Sequence, residues 1–128
     1  MTDSLVAFIH ARLDEDMNLA LDCIVEDGRW RAERTSLVLD TGAEIRVHLA
    51  IADHMARHDP ARVIRRVEAH RAIVDAYTEA TGPGTDTQGS FVSDRATGLS
   101  IAVKQMAAEH SDHPDYEAEW SVEPEPGS

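Results

Sequence analysis

A chain of 128 residues is one domain's worth, with enough length to bury about two-thirds of its unfolded surface. It therefore needs no disulfide or metal to fold, and the single cysteine, Cys23, excludes an internal disulfide and fits a reducing cytoplasm. A net charge of -12 opposes nucleic acid at long range, keeps the chain soluble and suits a basic protein partner.

The opening MTDSLVAFIHARLDED has no basic stretch ahead of its apolar residues, so neither a signal peptide nor a membrane span is expected. Leu5, Ile9, Leu13, Met17, Ala20 and Ile24 recur at helical spacing and predict an amphipathic helix from about Ser4 to Ile24. Thr2, Asp3 or Ser4 would cap it, Arg12 and its acidic neighbours would face water, and Asp27-Gly28 would stop it. The period then falls to two. RWRAER, SLVLD and EIRVHLA are strand candidates, and Asp40-Thr41-Gly42 is a hairpin turn with Gly42 at positive φ. Ile45, Val47 and Leu49 would face the core. Helical spacing resumes near Ile51, breaks at Asp59-Pro60, and restarts with Pro60 as the first residue of a helix reaching Thr81-Gly82. TGPGTDTQGS reads as a polar loop, Asp94 to Glu109 as a last helix, and VEPEPGS as too polar to fold alone.

The expected fold is α+β: about four helices around a small antiparallel meander, in one globular domain over 1–121, with a disordered acidic tail over 122–128.

Three stretches, DSLVAFIHARLDED, DHMARHDPARVIRRVEAHRAIVDAY and DHPDYEAEW, together resemble a family of small acidic actinobacterial proteins known as a domain of unknown function. The resemblance rests on the HxARHDPARV and HPDYxxEW motifs, here His54, Arg57, His58, Asp59, Pro60 and Arg62, then His113, Pro114, Asp115, Tyr116 and Trp120. Two departures are visible, the first being that the Trp30 neighbourhood lacks the proline-rich lead-in the resemblance implies. The family carries an apolar run before HPDY, where this chain has KQMAAEHS. The resemblance implies no activity, cofactor or partner.

The motifs admit several chemistries. His54 and His58 share a helix face, and with His113 could hold a metal or handle phosphate; yet no HExxH places a base beside them. Their plain reading is a pair of partly exposed imidazoles. Asp59, directly before Pro60, belongs where a cap belongs. As a cap its replacement by Ala would cost about 1 kcal/mol, and by Asn or Ser much less. Two helices broken at Pro60 also suggest a helix-turn-helix, with Arg62, Arg65 and Arg66 on phosphates; in so acidic a chain those arginines more often pair with carboxylates. Tyr116 and Trp120, four apart, would clasp the body, with a partner-docking peptide as the alternative. No GxxxxGK[ST], GxGxxG or GxSxG is present, so no catalytic residue is assigned and no cofactor is expected. The function expected is that of a non-enzymatic cytosolic interaction or regulatory protein, phage or mobile-element associated, acting on an unidentified protein or as a homodimer.

Overall fold

The computed structural model describes residues 2–24, 27–82 and 90–121. Among them are helices α1 (Thr2–Cys23), α2 (Leu49–Arg57), α3 (Pro60–Thr81) and α4 (Ser90–Ala108), strands β1 (Arg31–Glu33), β2 (Ser36–Val38) and β3 (Glu44–Arg46), and a 3-10 turn (Ala118–Trp120). The fold is α+β. The proline-rich end and most of the TGPGTDTQGS segment lie outside the described residues. The chain divides into two compact units, residues 13–69 and residues 1–12 with 70–128; α1 and α3 contribute to both.

In the 13–69 unit the three strands form an antiparallel meander in the order β1-β2-β3. Arg31 lies opposite Val38, and Ser36 opposite Arg46. A two-residue link joins β1 to β2, with Arg34 in the left-handed region at φ 57°. The second turn forms as its residues dictate. Gly42 takes φ 86°, Gly42 N–H donates to Leu39 O at 3.0 Å, and Leu39 N–H donates to Ala43 O at 2.9 Å. So small a sheet needs a cover. Helix α2 supplies it by packing on β1 and β2, with Leu37, Val38 and Ala52 buried.

Two expectations fail in this unit. Ile45 and Leu49 do not face the core, being 43% and 52% exposed, and Val47 is half-buried. Alternation names a strand's two faces but not how far the cover reaches. Helix α2 covers β1 and β2 and leaves β3 as an open edge, exposed along its length.

The other unit gathers the start of α1, the end of α3, α4 and the HPDY segment. Leu5, Phe8, Ile9, Val74, Tyr77, Val103, Ala107 and Trp120 are buried. Arg12 was expected in water and is buried instead. It falls seven residues after Leu5, on the apolar stripe, and its guanidinium lies 5.2 Å from the Phe8 ring centroid.

Phe8 is the hub of this unit. Trp120 lies 5.1 Å from it, His113 5.5 Å, Tyr116 6.1 Å and His110 6.3 Å, the last three edge-on. Tyr116 and Trp120 meet edge to face at 5.5 Å. Successive tight turns bring them there: His113 N–H donates to His110 O, Tyr116 N–H to His113 O, and Trp120 N–H to Glu117 O. His110, part of the KQMAAEHS departure, is one wall of this cluster.

Candidate functional site

The HDPAR stretch lies between α2 and α3. Helix α2 starts on His48, whose Nδ1 accepts the Ala50 N–H at 3.2 Å, and ends at His58, whose N–H reaches back to Met55 O. Pro60 then opens α3, where its missing N–H leaves no donor unsatisfied. The remaining first-turn donors are all accounted for. Ala61 N–H donates to Gly28 O at 3.0 Å, Arg62 N–H to Asp59 Oδ1 at 2.9 Å, and Val63 N–H to Asp59 O at 3.0 Å.

Asp59 does more than cap. Its second oxygen, Oδ2, accepts the Trp30 N–H at 3.1 Å, across 29 residues of sequence. Gly28, two residues earlier, donates its N–H to Asp40 Oδ2 at 2.9 Å while its carbonyl holds Ala61. The 27–30 segment is thus stitched to α3 by Asp59 and to the β2–β3 turn by Asp40. Gly28 sits at φ 70°, close against Ile24, Pro60 and Ala61.

This geometry changes what substitution at Asp59 should do. Both carboxylate oxygens accept N–H groups, so Asn would turn an NH2 toward one of them. Asp59→Ala is expected to cost about 2–3 kcal/mol, because a part-buried Trp30 N–H is stranded as well as the helix donor. Asp59→Asn is expected to cost about 1 kcal/mol, not near zero. Urea unfolding of both variants checks the order, and equal stability of Asn and wild type would contradict it.

The stitching shapes a groove within this unit. Leu19, Ala20, Cys23, Trp30, Pro60 and Val63 line it, with Asp16, His58 and Arg66 as its polar groups, and it encloses about 300 Å³. Leu19 is 67% exposed. The Trp30 indole Nε1 is buried with no hydrogen-bond partner among the described residues.

The other candidate residues are distributed as follows. His54 and His58 are exposed, their ring centroids 4.5 Å apart and their planes tilted by 44°. His113 belongs to the other unit, where its Nδ1 accepts the Asp115 N–H at 3.0 Å and its ring packs on Phe8. Among the described residues no three of His, Cys, Asp and Glu come together as a metal site. Arg57, Arg62 and Arg65 are exposed and Arg66 is half-buried. Pro114 and Asp115 are exposed, Tyr116 is half-buried and Trp120 is buried. Near them the Glu117 carboxyl titrates above the usual range, chiefly because it hydrogen-bonds Glu119, whose like charge acts the same way.

Sequence reasoning missed Leu19, and it placed Gly28 only as a helix stop, Asp40 only in a turn and Trp30 only in a strand candidate. A signal existed for Leu19: it is a large apolar residue off the stripe that Leu13, Met17 and Ala20 define. Nothing local marks the Trp30–Asp59 bond.

Among the described residues no helix is long and apolar enough to cross a membrane. No curated protein and no solved structure matches the chain. The HDPAR and HPDY stretches whose geometry is given above both fall within residues 2–122, which match the profile of DUF6221, and the chain belongs to that family of unknown function.

Proposed function

We propose that this is a non-enzymatic, cytoplasmic binding protein that docks a protein partner in the Leu19–Trp30 groove. One observation carries the reading. An apolar groove of about 300 Å³ opens beside a leucine that is 67% exposed, and residues 27–30 are held in place by Asp59 and Asp40. A preformed apolar slot with few polar groups is what an anchor side chain needs. Its polar lining pairs the acid Asp16 with the base Arg66, so an apolar anchor with little net charge beside it fits best. The exposed free thiol of Cys23 supports a reducing compartment.

This reading gives the motif histidines and arginines no chemistry. His58 and Arg66 dress the groove, and Asp59 and Pro60 build it. Immobilised full-length protein and its Leu19→Glu variant, exposed to extract of the producing cells, test the reading. Leu19 is solvent-facing, so the variant should fold, which circular dichroism checks. A protein retained by wild type should bind the variant at least about tenfold more weakly, since burying one leucine is worth about 1.5–3 kcal/mol. Identical retention by the two would reject the groove as the docking site.

A further inference from the structure

We propose that β3 is the contact strand of a twofold dimer, in which a second copy of this chain pairs antiparallel along Glu44–Arg46 with Ile45 on the axis. The inference is independent of the groove and rests on the register of the sheet. Val47 N–H donates to Thr35 O, Leu39 N–H donates to Ala43 O, and Ile45 lies opposite Leu37 between them. In an antiparallel ladder the bonded positions alternate. Residues 43, 45 and 47 therefore turn their backbone groups toward β2, and Glu44 and Arg46 turn theirs away from it. Among the described residues no turn or loop hydrogen bond reaches those outward groups.

An antiparallel partner centred on Ile45 places each Glu44 opposite the other copy's Arg46. Both are then hydrogen-bonded pairs, and each exchanges two N–H···O=C bonds. The two Ile45 residues form the intervening close pair. The same outward groups could also pair Glu44 with Glu44 or Arg46 with Arg46, but like charges directly opposite are destabilising. Charge thus selects a single, self-complementary register, which is what a twofold interface requires.

The opposite edge does not offer this. On β1 only Ala32 turns its backbone outward, so a second copy would gain two bonds rather than four, and Arg31 could pair with the other copy's Glu33 only by giving up the 2.8 Å bond it already makes to Glu33 within the strand. On β3 neither Glu44 nor Arg46 has an ion-pair partner among the described residues. Apolar surface lies along the same stretch of chain: Ile45 is 43% exposed, and Leu49 and Ile51, at the start of α2, are 52% and 51% exposed. Three-residue strands make a small contact, so association is expected to be weak.

Sedimentation of the full chain at near-physiological salt, from about ten micromolar to about one millimolar, tests this. The mass should rise from 14.1 kDa toward twice that value. E44R alone or R46E alone sets like charges opposite in both pairs and should stay monomeric throughout. An equimolar mixture of the two variants should dimerise, as should the double variant E44R/R46E. All positions are exposed, and thermal melts establish that each variant is folded. A wild type that stays monomeric, single variants that associate like wild type, or a mixture that stays monomeric would each overturn the proposal.

Discussion

Gly28→Ala is expected to lose about 3 kcal/mol of stability, the largest loss expected for a glycine-to-alanine change among the described residues. Two costs combine. Gly28 has φ 70°, where an L-residue gives up about 1–2 kcal/mol. The new Cβ would also stand 2.8 Å from Ile24 Cγ1 and 3.1 Å from both Ala61 N and Pro60 Cβ. The isoleucine can swing aside. Ala61 N cannot, because its N–H is bonded to Gly28 O. Overpacking of this kind costs about 1–3 kcal/mol more. The melting temperature should fall on the order of 10 °C. Gly42 is the internal control. It has φ 86° but nothing near its Cβ position, so Gly42→Ala should cost only the backbone strain, about 1 kcal/mol. Urea and thermal unfolding of the two variants separate the costs. Equal losses would mean that the approach of residue 28 to α3 is not as close as described.

Trp120→Ala should destabilise the other unit by about 3–5 kcal/mol, the usual range for emptying a buried tryptophan site. The ring is 4% exposed and lies against Phe8 and Tyr116. Trp120→Phe should be much milder, at about 1 kcal/mol. The indole Nε1 is buried with no hydrogen-bond partner among the described residues, so Phe keeps a ring and sheds an unsatisfied donor. A cycle with Phe8→Leu should show coupling of about 0.5–1.5 kcal/mol between the two rings. If Trp120→Ala melts like wild type, HPDYEAEW does not clasp the body.

The parts of this fold that were legible in the sequence are the parts with local causes. Asp59-Pro60 marks the start of α3 because capping and a missing N–H act within one turn. Gly42 marks its turn because positive φ has a residue-specific cost. The length and end of α3 follow from the spacing of Val67, Val74 and Tyr77 up to Thr81. What was not legible depends on distant partners. Arg12 sits on the apolar stripe by spacing but belongs in water by residue type; it is the packing of the folded unit, with the Phe8 ring on one side, that buries it. Phe8 itself was overlooked beside the Leu5–Ile9–Leu13 row, although it shares their face. Ile45 alternates as a core residue should, yet the strand next to it is the last that α2 covers. For the candidate site, the cap role of Asp59 is legible from the Pro60 that follows it, but its second bond, to Trp30, gives no local sign.

Asp59 is therefore the fastener that joins residues 27–30 to α3 beside the groove. Amide hydrogen exchange at Trp30 measures that fastening directly. In the wild type the Trp30 amide should exchange slowly. In Asp59→Ala it should exchange at least about tenfold faster, as a bond worth 1.4 kcal/mol or more implies, while the amides of Leu37 and Val67, in the buried core, should accelerate by no more than the loss of global stability allows and stay far slower than Trp30. A Trp30 amide that exchanges at the free-peptide rate in the wild type, or at the same slow rate in both proteins, would mean that Asp59 does not fasten residue 30.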